Sequence, residues 1–202
     1  MITLYEIDIT AKRASKAMGF SWGIVEEIGK NIRLLEMFGL PGIKNLNQYF
    51  KLYKNKKFQN ISLITKNNTS KIPYCPIIAG VNFLDQITIM EGLDEIDFEN
   101  VAFPILLIPF LSRASEIIGK KIFLKIDEKE FLLNFNQSIY SNYPNKEIWE
   151  KGETINIKFL DNKNSFNEKE WQELYKLSED TFIEETEELM QKTAGAGLID
   201  ND

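Results

Sequence analysis

The spacing of apolar residues changes once along this chain, and that change limits the fold more than any other feature. Over residues 1–57 apolar side chains recur every three or four positions, which is typical of amphipathic helices. From about residue 120 they alternate with polar side chains, as in strands that bury one face. The sequence therefore predicts an α+β fold, with a helical N-terminal part packed on a mostly antiparallel sheet.

Three helices are predicted in the N-terminal part. A T-x-x-E capping box begins the first helix, residues 3–18. The second covers residues 21–38 and ends at Gly39, because glycine is the residue that most often ends a helix. The third covers residues 45–53, with Asn45 as its N-cap.

The sheet is predicted from short apolar runs further along the chain. Two runs bounded by proline, PYCPIIAG (73–80) and FPILLIPF (103–110), are interpreted as strands or as strands followed by turns. Residues 122–135 read as a hairpin with one buried face, and residues 155–160 read as a third antiparallel strand. A final helix begins at Asn167 and leads into a glycine-rich tail that we expect to be ordered.

The length of 202 residues predicts one domain over 1–202. Within it we expect a helical part (1–57), a sheet part (72–160), and a C-terminal helix with the tail (165–202). A hydrophobic content of 44% is enough to build a sizeable core.

Charge and cysteine content exclude several classes of protein. A net charge of −6 argues against a nucleic-acid partner, because phosphate binding needs a basic face. No run reaches the ~18 apolar residues of a membrane span. The N-terminus is acidic, unlike a secretion signal, and a lone cysteine, Cys75, cannot form an internal disulfide. The sequence therefore predicts a cytoplasmic protein in which Cys75 is a buried structural thiol.

Histidine is absent from the chain, and this limits the chemistry. Nucleophile systems built on histidine are excluded, as are the usual imidazole metal sites. Catalysis would depend on carboxylates, lysine, tyrosine, backbone amides or a bound cofactor, and no motif assigns a cofactor. Asp200 and Asp202 are poor evidence for a metal, so no metal site is predicted.

The second helix carries an unusual polar stripe opposite its apolar stripe. Trp22, Glu26, Lys30 and Arg33 fall on one side at helical spacing. The stripe is interpreted either as a surface covered by a ligand, another segment or a second subunit, or as an ordinary Glu26–Lys30 pair beside a tryptophan at the core edge. Gly29 flanks the stripe and predicts a close approach of another segment.

Two further side chains are candidates for binding. Arg113 follows Pro109 near an expected helix start, where backbone amides and the guanidinium could hold an anion. The alternative is a surface salt bridge. Asp85 follows the first proline-bounded run and is either a site carboxylate at the end of an expected strand, or a helix cap or turn residue. Arg13 lies beside Lys12 on a polar helix face and is given no special role.

Three stretches resemble a bacterial family catalogued as domain of unknown function 3726: residues 16–42, residues 75–85, and the ending AGAGLIDND (194–202). The resemblance implies no activity. It points to a set of site residues: Trp22, Gly23, Glu26, Glu27, Gly29, Arg33, Gly80, Asp85, Gly195, Gly197, Asp200, Asn201 and Asp202. The chain departs from the family just before the tail, where EELMQKT replaces an expected Ser-Arg.

The predicted function has two forms. In the first, a small-molecule-binding protein or enzyme takes an anionic metabolite, with Glu26 or Glu27 as general base in proton transfer. Arg33 or Arg113 would clamp the anion, and Trp22 would form a wall. In the second, the same surface docks on a partner enzyme without catalysis, and a homodimer is compatible with either form. In both forms, Asp200 or Asp202 of the tail is expected to pack near Arg33.

Overall fold

The computed structural model describes residues 2–90, 92–143, 147–179 and 181 of the chain. The chain divides into two units, Met1–Asn162 and Lys163–Asp202, which are described separately. In the described residues, no helix has the length and apolar content needed to cross a membrane. The glycine-rich tail lies outside the described residues, and the prediction of a single domain stays a prediction.

The first unit combines helices with one sheet. Its helices are α1 (Leu4–Ala17), α2 (Trp22–Met37), α3 (Gly42–Tyr53), α4 (Pro76–Met90) and α5 (Ile108–Ile118), and a 3-10 turn (Pro104–Leu106) precedes α5. Its strands are β1 (Asn67–Asn68), β2 (Glu95–Ala102), β3 (Lys121–Ile126), β4 (Lys129–Asn134), β5 (Ser138–Ser141) and β6 (Lys151–Leu160). The strand order is β1-β2-β6-β3-β4-β5. The β1–β2 pair is parallel and the other pairs are antiparallel. The predicted α+β class is confirmed.

The start of α1 follows the predicted capping box. The hydroxyl of Thr3 accepts a hydrogen bond from the backbone N–H of Glu6 at 3.2 Å, and the Glu6 carboxylate accepts one from the Thr3 N–H at 2.7 Å. Both bonds use backbone donors that lack partners inside the helix. The prediction for the first helix is confirmed.

Helices α1 and α2 pack closely because of a glycine. A Cβ atom at Gly29 would overlap Oδ1 of Asp8 and Cγ of Lys12, both on α1. The predicted close approach at Gly29 is therefore confirmed. The core side of α2 carries Val25, Ile28, Ile32 and Leu35, all buried.

The two proline-bounded runs were predicted as strands, and both predictions are wrong. Pro76 is the first residue of α4, and Pro109 lies in the first turn of α5. Proline suits the first turn of a helix, because its fixed φ is helical and its missing N–H needs no partner there. The run after Pro76 continues for the 15 residues of α4, longer than a typical strand.

Asn45 was predicted to cap the third helix, and this is also wrong. Helix α3 begins at Gly42, and Asn45 lies buried inside it. Its amide donates to the carbonyl of Pro41 at 2.7 Å and accepts from the N–H of Trp149 at 2.9 Å. The same ability to bond backbone groups that makes asparagine a good cap here joins α3 to the segment before β6.

The sheet contains the predicted hairpin and third strand, as β3, β4 and β6. Its helix-covered face is apolar: Ile96, Phe98, Ile122, Leu124, Ile126, Phe131, Leu133, Ile155 and Ile157 are buried. The alternation of apolar and polar side chains therefore predicted the buried face correctly.

The second unit is described over 163–179 and at 181, and contains α6 (Glu168–Glu179). Asn167 and Glu170 exchange bonds: Oδ1 of Asn167 accepts from the Glu170 N–H at 3.0 Å, and the Glu170 carboxylate accepts from the Asn167 N–H at 2.8 Å. The predicted final helix, which starts at this pair, is confirmed.

Candidate ligand-binding site

Trp22 is the first residue of α2, and its side chain is 67% exposed. A tight turn joins it to α1, and Gly19 in that turn has a φ of 90°, which glycine adopts without strain. The ammonium of Lys16 lies 4.7 Å from the centre of the Trp22 ring and donates to the carbonyl of Phe20 at 3.4 Å. A cation therefore lies over this exposed ring.

An open groove of about 450 Å³ runs between the second half of α1 and the start of α2. The described residues that line it are Ile9, Lys12, Arg13, Lys16, Ala17, Trp22 and Glu26. Three of these side chains are cationic and one is a carboxylate. The groove is therefore locally positive in a chain whose net charge is −6.

Lys12 holds the base of the groove together. Its ammonium lies 2.8 Å from Oε2 of Glu26 and 3.3 Å from Oδ2 of Asp8. The hydrogen bond with Glu26 raises the pKa of Lys12, so this lysine stays charged at neutral pH. The alternative Glu26–Lys30 pair is not formed, and that part of the sequence interpretation is wrong.

Glu27 faces a different neighbour from Glu26, because consecutive helical residues point about 100° apart. Its carboxylate pairs with the guanidinium of Arg113 on α5 and with the ammonium of Lys30 at 2.9 Å. Burial by itself would raise the pKa of Glu27, but hydrogen bonds from Arg113 and Lys30 bring it below its ordinary value. Glu27 is therefore ionised and joins α2 to α5.

Arg113 does not lie at a helix start. It lies in the second turn of α5, where backbone N–H groups bond to carbonyls of the preceding turn. These amides are not free to join Arg113 in the predicted anion site. The guanidinium pairs with Glu27 instead. The structure therefore agrees with the salt-bridge alternative, although the pair is partly buried.

Arg33 and Asp85 lie away from the groove. Arg33 is exposed on α2 and makes no ion pair or hydrogen bond with the described residues. Asp85 is exposed on α4, so it does not end a strand as was expected. The tail candidates Gly195, Gly197, Asp200, Asn201 and Asp202 lie outside the described residues, and the contact of the tail with Arg33 stays a prediction.

Gly80 and Cys75 have packing roles. A Cβ atom at Gly80 would overlap the ring of Phe110, so Gly80 lets α4 and α5 approach. Cys75 is buried, as predicted. Its sulfur lies 3.0 Å from the hydroxyl of Tyr49 and accepts from the N–H of Ile78 at 3.4 Å. Burial raises the pKa of the thiol, which keeps it protonated and unreactive.

Sequence reasoning missed the cations that α1 brings to Trp22. Arg13 was given no special role, yet it lines the groove with Lys12 and Lys16. A signal was present: the three cations lie within one helical turn of each other, and the helix ends just before Trp22. A tight turn places such residues beside the start of the next helix.

Comparison with known families finds a match over the N-terminal part of the chain. Residues 2–75 match the model of the family described as a protein of unknown function (DUF3726). The predicted resemblance is therefore confirmed over α1, α2, α3 and the loop up to α4. The match includes residues 16–42 and leaves 76–85 and 194–202 outside it. No curated protein and no solved structure matches the chain.

Proposed function

We propose that this protein binds a small anionic molecule in the groove between α1 and α2. The observation that carries the proposal is the lining of the groove, which Arg13 and Lys16 share with the exposed ring of Trp22. The volume of about 450 Å³ is within the range of small-molecule sites. An acidic chain that gathers cations beside an exposed tryptophan favours an anionic ligand over a neutral one.

The lining also indicates the shape of the ligand. The Trp22 ring, Ile9 and Ala17 offer apolar contact, which suits a flat apolar part. Arg13 can bind a carboxylate or phosphate through two parallel hydrogen bonds, and Lys16 adds a point charge. The expected ligand is therefore a carboxylate or phosphate that carries a planar group.

An enzymatic form of the proposal assigns proton transfer to Glu26. Glu26 lines the groove and its side chain is 52% exposed, so it can reach a bound molecule. Glu27, the other candidate base, is held by Arg113 and Lys30. A base that already has two cationic partners is poorly placed to accept a proton from a ligand.

The non-catalytic alternative is an accessory protein that docks on a partner enzyme through the same surface. The observation in its favour is the exposure of the Trp22 ring, since tryptophan is enriched where proteins meet. A second copy of this chain is one such partner. Both forms are proposed for a bacterial, cytoplasmic protein. The single free and buried cysteine supports the cytoplasmic location.

The test is a thermal-stability screen against a library of small carboxylates and phosphates. A ligand that binds the folded state raises the unfolding temperature. We expect Arg13→Ala to abolish the shift and Arg33→Ala, its matched control on α2, to retain it. For a ligand that is turned over, Glu26→Gln should keep the shift and lose turnover. If Arg33→Ala loses the ligand-induced rise in unfolding temperature and Arg13→Ala retains it, the ligand binds near Arg33 and not in the groove.

A further inference from the structure

The loop between α3 and α4 surrounds a second pocket, separate from the α1–α2 groove. The pocket has a volume of about 510 Å³ and lies within residues 59–74. Nine of its eleven described lining residues carry an amide or a hydroxyl group, and the other two are Ile61 and Leu63. None of the eleven is charged, although 27% of the chain is Asp, Glu, Lys or Arg.

The loop has little regular structure, yet three side-chain amides fix its path. Asn68 donates to the carbonyls of Thr65 and Asp97 at 2.7 and 2.9 Å. Gln86 of α4 donates to the carbonyl of Ser62 at 2.9 Å and accepts from the N–H of Ile64 at 3.0 Å.

The third amide, Asn100 of β2, donates to the carbonyl of Ser70 at 3.0 Å. Because these bonds attach the loop to α4 and β2, the pocket is formed before any ligand arrives. A long loop held in this way is unusual for a plain connection and is typical of a binding loop.

Four polar side chains of the lining remain free for a ligand. The side chains of Asn60, Ser62, Asn67 and Thr69 form no hydrogen bond with other described residues, and all four residues are exposed. Each of these amides and hydroxyls can both donate and accept. Hydroxyl groups of a ligand have the same dual character, whereas a charged ligand would find no opposite charge in the lining.

We infer that this pocket binds a neutral polyhydroxylated small molecule, that is, a sugar or a polyol. The free amides and hydroxyls bond to the ligand hydroxyls. Leu63, which is 69% exposed, and Ile61 contact the C–H face of a sugar ring. The site differs in lining and in ligand charge from the proposed anion groove. The two proposals are therefore independent, and the failure of one leaves the other unaffected.

The inference is tested by titrating ¹⁵N-labelled protein with D-glucose, D-ribose and myo-inositol in separate experiments. At least one of them is expected to shift the amide signals of residues 59–70 in a saturable manner. Asn67→Ala and Ser62→Ala should each weaken binding by about tenfold, which corresponds to about 1.4 kcal/mol. Asn47→Ala removes an exposed amide elsewhere and serves as the matched control, with affinity unchanged.

Three results would overturn the inference. The first is the absence of a saturable shift with all three compounds. The second is a saturable shift that Asn67→Ala and Ser62→Ala leave unchanged. The third is a shift of the same amides by inorganic phosphate and by none of the three neutral compounds. Unfolding temperatures equal to wild type in the variants would show that they retain the fold.

Discussion

Glu26 and Glu27 are neighbours in the sequence, yet α2 turns them toward two different regions of the molecule. Glu27 faces α5, where Arg113 and Lys30 hold its partly buried carboxylate. Glu26 faces an open groove and pairs with Lys12, and about half of its side chain is exposed. The comparison shows that the surroundings of a carboxylate, not its residue type, separate a structural link from a group available to a ligand.

Removing the carboxylate of Glu27 is expected to have the largest effect. Glu27→Ala leaves the partly buried Arg113 without its partner, which should lower the free energy of unfolding by about 2 kcal/mol, as for other hydrogen bonds to charged groups. Chemical denaturation followed by circular dichroism measures this. The matched control is Glu26→Ala on the adjacent residue. Equal losses of unfolding free energy in the two variants would contradict the distinction between a structural Glu27 and an available Glu26.

The pair of Glu27 with Arg113 should also make the stability depend on pH. The folded-state pKa of Glu27 lies below its ordinary value of 4.5, so the unfolded state binds the proton more readily. The stabilisation is therefore complete above about pH 4.5 and is lost as the pH falls through the folded-state pKa. Denaturation of wild type and Glu27→Gln across this range should show their difference shrinking toward acid pH. A stability difference that grows toward acid pH would show that the pKa of Glu27 is not lowered in the folded protein.

A substitution at Gly29 tests the packing of α1 against α2 on the side that carries Glu26. A methyl group at this position would overlap Asp8 and Lys12, so Gly29→Ala should push α1 outward. We expect a loss of about 1 to 2 kcal/mol, as for other overpacked sites, and weaker ligand binding in the groove. Gly23→Ala is the control, since its Cβ meets nothing within 4 Å. If Gly29→Ala is as stable as Gly23→Ala, the close contact of α1 with α2 is not needed.

Asn31 lies one turn beyond Glu27 and shows the cost of a polar group that lacks such partners. It is 2% exposed, and neither atom of its amide has a hydrogen-bond partner among the described residues. Asn31→Leu should raise the unfolding temperature, with a gain of about 1 kcal/mol, because an unpaired buried amide is costly. Asn45→Leu, at a buried asparagine with bonded amide atoms, should instead lose about 2 kcal/mol. Thermal denaturation of both variants measures these changes. A lower unfolding temperature in Asn31→Leu would show that the amide of Asn31 is hydrogen-bonded in the folded protein.

Glu26→Ala should have the smallest effect on stability. Glu26 is about half exposed in its pair with Lys12, and surface pairs of this kind contribute less than about 1 kcal/mol. We expect a change in the free energy of unfolding of about 0.5 kcal/mol or less, measured by the same denaturation experiment. A loss as large as that of Glu27→Ala would make Glu26 a structural residue and remove it from the proposed site.

Local signals predicted much of the fold. The T-x-x-E box at Thr3 and the alternation through β3, β4 and β6 depend on neighbouring residues, and the structure has both. Pro76 misled the prediction because proline marks a helix start as readily as the end of a strand. Strand β2 was not predicted: only Ile96 and Phe98 alternate with acidic residues before the pattern breaks at Asn100, which has a φ of 62°.

Less of the candidate site than of the fold could be predicted, because its contacts are made between residues far apart in the chain. Trp22 and Glu26 were predicted from the spacing along one helix, and both line the groove. Arg113 and Glu27 are 86 residues apart, and no pattern in a single sequence indicates that they meet. Arg13 seemed an ordinary surface charge until α1 and α2 were placed side by side. Spacing along a helix predicts which residues share a face, but not what that face meets.

The most direct test of the groove is a calorimetric titration of the strongest anionic ligand from the stability screen. It would be performed on wild type, on Trp22→Ala, and on Trp171→Ala, which removes an exposed tryptophan of α6. We expect Trp22→Ala to lose at least about tenfold in affinity, or about 1.4 kcal/mol, and Trp171→Ala to bind like wild type. Equal affinity in all three proteins would contradict the assignment of the groove as the ligand site.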